Sequence, residues 1–478
     1  MKGIFLTLFA LLFALFPLSL AACGASSPDS YTMVLVYEPA TRTLAGEMTV
    51  RLENRTGSAW ETVKFQLWPN AFREEAKYLP VSEAYAPAVY YKGASFGGIS
   101  LTSMEGGEAR VAGEDENILV VTPPAPVYPD ERITLTMRFT VLLPEIEHRL
   151  GVGQRTVNFG NFYPILCAWG EGGFCEHVYA CCGDPFVSGI ADYDVTFTLP
   201  ASYHVAHTGT GTRTEENGLA TYHVRAEGVR DFAMVCSEQF TVHTSEASGI
   251  PVTYYALDDA DPARTLQVAC ESLSYYADTF GAYEYPAYTV VETGFPYGGM
   301  EYPMLSLIAD DLPVSEVPLV VAHETAHQWW YAMVGSDQYH EAWQDEGLAE
   351  YSAALFLEAH PEYGRTYADM IASSERAYRA YYSVSSQLSR GETAMRRALT
   401  DYTGDYAYRS LAYDKGVILF DRLRQTVGDS RFFACIKEYA RAYNGKIAPA
   451  EALVSCFAAR APQAEGIFAA FLDGLCVI

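Results

Sequence analysis

The stretch HETAHQWW, His323 to Trp330, puts two histidines four residues apart, with a glutamate directly after the first. On a helix, side chains at i and i+4 project from one face, so His323 and His327 can reach a common ion. Glu324 points about a quarter turn away, which sets it beside that ion rather than on it. Further along, AWQDEGLAEY brings Glu346 to the start of the next helical segment, with eighteen residues between it and His327. Two imidazoles and one carboxylate leave an open tetrahedral position on zinc, where the pKa of a water falls to about 7. Glu324 is then the base that takes the proton of that water as it attacks a carbonyl. Glu350, one turn after Glu346, is placed to orient a ligand histidine. The residues point to metal-assisted hydrolysis with one Zn2+ per chain.

Helical and extended elements must hold these groups in place. Ser315 is a candidate helix cap, and Pro318 falls in the first turn, where a missing N–H does least harm. The apolar run Val317 to Val334 carries both histidines, and a second helix is predicted from Glu346 to Ala359, stopped by Pro361. LAYDKGVILFDRLRQTVG, RFFACIKEYARAY and PAEALVSCFAARA read as further amphipathic helices. Residues 31–242 have the other period. Met48, Val50 and Leu52 alternate with polar residues, as do Ile133, Leu135, Met137, Phe139 and Val141, and Tyr193, Val195, Phe197 and Leu199. Such runs, separated by Gly, Pro, Asn and Asp, predict an antiparallel β domain. HTSEASG reads as a linker, and residues 243–478 form a second domain that opens with short strands (VTYYAL, AYTVVE) and turns mainly helical. The fold class is α+β, multidomain.

At 478 residues the chain exceeds one ordinary domain, and 50% hydrophobic with 19% charged residues suits a packed protein. A net charge of −27 opposes phosphate backbones and argues against nucleic acid as a partner. The first 22 residues, MKGIFLTLFALLFALFPLSLAA, read as a secretory signal. Its end, Leu20-Ala21-Ala22-Cys23, resembles a bacterial lipobox, in which cleavage leaves a lipid-modified cysteine. Cys23 would then anchor the chain to the outer face of the cell membrane or to the outer membrane, with residues 23–30 as a tether. Ten cysteines are present. Cys167, Cys175, Cys181 and Cys182 cluster without a clean C-x-x-C pair, so one or two loop disulfides are expected outside the cytoplasm.

HETAHQWW with WQDEGLAEY resembles the H-E-x-x-H-x18-E segment of the aminopeptidase N-type gluzincin metallopeptidases. GGMEYP, from Gly298 to Pro303, resembles their G-x-M-E-N exopeptidase motif, and LAYDKG their Tyr-x-Lys-Gly segment. In the first half, LAGEMTVRLEN, QLWPNAF, DYDVTFTLP and RDFAMV are similar as well. The resemblance implies a β-saddle domain followed by a thermolysin-like catalytic domain. It implies zinc on His323, His327 and Glu346, Glu324 as general base, and Tyr413 as a donor to the oxyanion. Gly298, Gly299, Met300 and Glu301 would bind substrate, with Glu301 holding the α-amino group of a peptide. A second amine anchor is expected from the β domain, with Glu171 and Glu176 as candidates. Three features depart from the pattern. Tyr302 stands where the motif has Asn, Asp345 stands where Asn commonly precedes the ligand Glu, and the chain ends about sixty residues after Tyr413. That ending implies a more open cleft than in larger members.

The resulting expectation is a lipid-anchored zinc aminopeptidase acting on peptides outside the cytoplasmic membrane. A zinc endopeptidase or other amide hydrolase is the enzymatic alternative, favoured if Glu301 does not hold an amine. A surface binding lipoprotein with a vestigial peptidase domain is the alternative from another class. Oligomeric state is not legible.

Overall fold

Alternation builds the N-terminal half. In the strand Asp29–Glu38, Tyr31, Met33, Leu35 and Tyr37 are buried and the residues between them face solvent. Thr43–Glu53 buries Leu44, Met48, Val50 and Leu52 in the same way. Its remaining inward position is Gly46, because the Phe139 ring on the paired strand fills that space; a Cβ there would lie 2.5 Å from the ring. Each such inward Leu, Val or Met removes enough apolar surface from water to contribute about 1.5–3 kcal/mol, against the entropy of ordering the chain. The computed structural model describes residues 29–388 and 392–474. The signal segment and Cys23 lie outside the described residues. Asp29 and Ser30, read as tether, already pair in the first strand.

That strand lies in the middle of a seven-stranded sheet. The order is Thr210–Glu216, Leu219–Val229, Ala191–Pro200, Asp29–Glu38, Thr43–Glu53, Arg132–Leu142, Gly98–Glu105. Two four-stranded sheets and a two-stranded one complete this half, and most of their inward residues join one apolar core. Pairing is antiparallel throughout the large sheet except between Asp29–Glu38 and Ala191–Pro200, which run parallel. Strands so distant in sequence have no hairpin to dictate their direction.

The segment read as a linker is instead structured. Thr241–Ala247 and Ile250–Ala256 form a hairpin closed by Ser248 and Gly249, both at positive φ (52° and 87°), as a two-residue hairpin turn requires. The first strand is an exposed sheet edge, so its polar composition carries no alternation. It opens a five-stranded sheet that continues through Tyr288–Thr293 and Leu305–Ala309 to Gly299–Tyr302 at the far edge.

Helices pack beside this sheet. The one bearing the histidines spans Val317–Ala326. Ser315 is not its cap; a turn in which Glu316 N–H donates to the Pro313 carbonyl sets the entry, and Pro318 sits in the first turn. The apolar run to Val334 is not one helix. It passes into a wide i→i+5 turn over Gln328–Met333, where Trp330 and Tyr331 leave helical geometry. Arg230, buried in the β domain, takes up carbonyls freed there: Nε donates to Tyr331 O at 2.6 Å and Nη2 to Met333 O at 3.2 Å. The helix Glu346–Ala359 has its expected bounds, and Lys415–Val427, Asp429–Tyr443 and Ala450–Ala458 follow the other amphipathic segments. Tyr367–Gln387 is a further helix that the periodicity did not single out, since Tyr and Ser make up much of its buried face. Among the described residues no helix is long and apolar enough to cross a membrane.

All eight described cysteines carry free thiols, so the expected loop disulfides are not formed. Cys167 packs with Ile118 and Val120, and Cys182 donates to the carbonyl of Leu399 at 3.8 Å. They serve as small packing groups.

Candidate metal centre

His323 sits in the last turn of its helix and His327 is the residue that ends it, so one helical turn separates them, as the spacing requires. Their Nε2 atoms lie 3.0 Å apart. Glu346, at the first position of its own helix, brings Oε2 to 3.4 Å from His323 Nε2 and 3.3 Å from His327 Nε2. Ligands about 2.0–2.1 Å from zinc in a tetrahedron are separated by about 3.3 Å. The three atoms therefore already stand near the corners of such a site. The far ring nitrogens fix which nitrogen faces inward: His323 Nδ1 meets Glu350 Oε2 at 2.8 Å, and His327 Nδ1 meets the Trp330 carbonyl at 3.1 Å. With those partners accepting, both Nε2 lone pairs converge on a buried carboxylate. A cation reconciles that grouping, so the residues fit the metal.

Two glycines let the ligand helix approach. A Cβ on Gly416 would come within 2.6 Å of the Gly347 Cα, so the helix starting at Glu346 and the one starting at Lys415 cross at backbone contact. The crossing brings the wide i→i+5 turn Arg409–Asp414 against Glu346. That turn's spacing places Tyr408 and Tyr413, five residues apart, edge to face at 5.6 Å. Tyr413 stacks on the His323 ring (5.6 Å, 11°). Tyr408 donates its hydroxyl to Glu346 Oε1 at 3.0 Å, an interaction that sequence reasoning missed. Lys415 of the same motif is structural, donating to the carbonyls of Thr393 and Phe471 at 2.6 Å each.

Glu324 is buried, and its Oε2 has no hydrogen-bond partner. Burial pushes it up to about 7, against the pull of His323 and His327. Gly299 makes room for it, since any Cβ there would overlap the Glu324 carboxylate. Glu301, on the edge strand, is buried beside His327 and Asp345, within 4.8 Å ligand atom to ligand atom. Gln338 bridges the two acids, donating to Glu301 Oε1 at 3.2 Å and to Asp345 Oδ2 at 2.5 Å. Gly298 precedes at φ +89°. The Met300 sulfur accepts from Arg149 Nη1 at 3.1 Å. The Tyr302 hydroxyl donates to Asn161 Oδ1 at 2.8 Å, over a Gly160 whose missing side chain it replaces.

Glu171 and Glu176 do not reach the site. Both are exposed, and Glu176 pairs with Lys64. The β-domain acid that does is Asp184, paired with buried Arg149 and close enough to act electrostatically on Glu346, His327 and Glu301. Nothing in the sequence around Asp184 marked it.

Residues 264–467 match the Peptidase family M1 domain, in line with the resemblance read from the motifs. Leucine aminopeptidase 2 of Emericella nidulans is 25% identical over 301 residues, 59% of this chain and 47% of that protein. Leucine aminopeptidase 2 of Aspergillus terreus is 29% identical over 168 residues, 33% and 25%. The chain thus spans about half the length of these relatives or less. Among solved structures, an M1 zinc metallopeptidase from Deinococcus radiodurans is 20% identical with a TM-score of 0.63, covering 95% of both chains. A mutant of it bound to a Tyr-Ser-Ala substrate is 19% identical, with the same score and coverage. These likenesses agree with the β-rich half followed by a helical half, and the family and its neighbours imply zinc.

The Tyr408 contact has a measurable consequence. Removing an outer partner of a metal ligand typically costs 10–100-fold in metal affinity. Tyr408→Phe is expected to weaken zinc binding by about tenfold or more in chelator competition; affinity equal to wild type would reduce the hydroxyl to packing.

Proposed function

We propose that this chain is a zinc metallopeptidase that removes N-terminal residues from peptides. The observation that carries the reading is the convergence of His323, His327 and Glu346 on one point, with an unpartnered Glu324 carboxylate and a buried Glu301 beside it. A zinc ion on the three ligands supplies Lewis acidity toward a peptide carbonyl and an attacking water. Glu324 accepts the proton of that water and returns it to the leaving amine. Tyr413, held against His323 by stacking, donates its hydroxyl where negative charge develops on the carbonyl oxygen. Glu301 takes the α-ammonium of the substrate, which fixes the first residue next to the ligands.

Burial of Glu301 supports exopeptidase action, because a carboxylate in a low-dielectric pocket with one neutral partner gains most from a cation. Tyr302, which stands where the motif has Asn, lies against Gly160 and Asn161. The names of the fungal relatives point the same way as Glu301. An intact ligand set with its base argues against a vestigial binding domain. A charge-assisted hydrogen bond contributes about 1.5–3 kcal/mol, or roughly 10–100-fold in rate. Aminoacyl substrates with a free amine are expected to be cleaved at least about tenfold faster than their N-acetyl forms, with Glu301→Ala erasing most of that ratio. Equal cleavage of blocked and free substrates by the wild type would end the aminopeptidase reading.

We further propose that the enzyme works outside the cytoplasmic membrane, held by lipid on Cys23; the LAAC ending of the apolar leader supports this. Intact-mass measurement of protein from membranes should find an acylated cysteine as the first residue, absent in Cys23→Ser. An unmodified N-terminus at another site would overturn the anchor.

A further inference from the structure

Between the β domain and the metal centre runs Ala180-Cys181-Cys182-Gly183-Asp184. The two adjacent thiols lie close enough to act on each other electrostatically. Cys182 is buried and donates to Leu399, whereas Cys181 is partly exposed. Gly183 turns the chain at φ +72°, and a Cβ there would lie 2.6 Å from Leu399 and 2.9 Å from the Tyr408 ring. Tyr408 holds Glu346, and Asp184 pairs with Arg149. This turn is therefore wedged between two groups that shape the metal site, and it contains the chain's one pair of consecutive cysteines.

We propose that Cys181 and Cys182 are a reversible redox modification site, closed to a vicinal disulfide by low-molecular-weight disulfides, and that closure lowers turnover. The Cys181 thiolate attacks one sulfur of the external disulfide, expelling a thiolate and leaving a mixed disulfide. Cys182 gives its proton to water and attacks the Cys181 sulfur, displacing the second thiolate, so two protein thiols are oxidised and one external disulfide becomes two thiols. Exposure makes Cys181 the attacking residue, because the Cys182 thiol is buried and its S–H is engaged by the Leu399 carbonyl. Ring closure through the intervening peptide withdraws the Cys182 sulfur from Leu399 and shifts the Gly183 turn on which Tyr408 leans. The effect on turnover rests on the peptidase reading; formation of the bond does not.

The test treats the zinc-loaded mature protein with glutathione disulfide, alkylates remaining thiols, and maps the peptide bearing Cys181 and Cys182 by mass while assaying peptide hydrolysis. That peptide is expected to lose two hydrogens and resist alkylation. Activity should fall about tenfold, the size of one hydrogen bond to a charged group, and dithiothreitol should restore both. Cys181→Ser should keep wild-type basal activity and lose the sensitivity. A peptide that keeps both thiols, or stops at a mixed disulfide, overturns the site. Full activity in the closed form, or inhibition persisting in Cys181→Ser, overturns its link to turnover. Should the wild type prove inactive on all peptides, the functional reading fails while the mass result still decides the bond.

Discussion

Two imidazole lone pairs and a carboxylate oxygen, held 3.0–3.4 Å apart in a buried pocket, are the constraint to which the helical half answers. Without a cation that arrangement is costly, because a desolvated carboxylate and facing lone pairs find no compensation in a low-dielectric interior. Glu301, Glu324 and Asp345 crowd the same space, so the pocket favours positive charge. The remaining structure keeps that electrostatic demand from being relieved by collapse.

Three glycines and one arginine do most of this positioning. Gly347 and Gly416 let two helices meet at backbone distance, which brings both tyrosines to Glu346 and His323. Gly299 leaves the space that Glu324 occupies. Arg230 reaches from the β domain to the carbonyls exposed where the chain leaves the histidine helix. The β domain is therefore part of the site, through Arg230 below the histidines and through Asp184 and Arg149 beside Glu301.

What could be read in the sequence follows from how local each relation is. His323 and His327 are joined by one helical turn, and Glu346 and Glu350 by another, so spacing alone places them on shared faces. Glu301 was legible only through its motif. Tyr408 was not, because its relation to Tyr413 depends on an i→i+5 turn that ordinary helical periodicity does not encode. Asp184 and Gln338 reach the site through long-range packing that leaves no local signature. The strands of the first half declared themselves by alternation, whereas the hairpin over HTSEASG did not, since an exposed polar edge has no buried face to alternate with. The parallel pairing of Asp29–Glu38 with Ala191–Pro200 was hidden for the same nonlocal reason.

Separating metal binding from proton transfer tests the central claim most directly, because two of the three ligands and the base come from the same helix. Glu324→Gln keeps the shape of the side chain and removes its ability to accept a proton. The variant should retain zinc at wild-type stoichiometry by elemental analysis, yet lose about 10²–10⁴-fold in turnover. A zinc-loaded Glu324→Gln protein that hydrolyses peptides at near wild-type rate would contradict the assignment of Glu324 as the base.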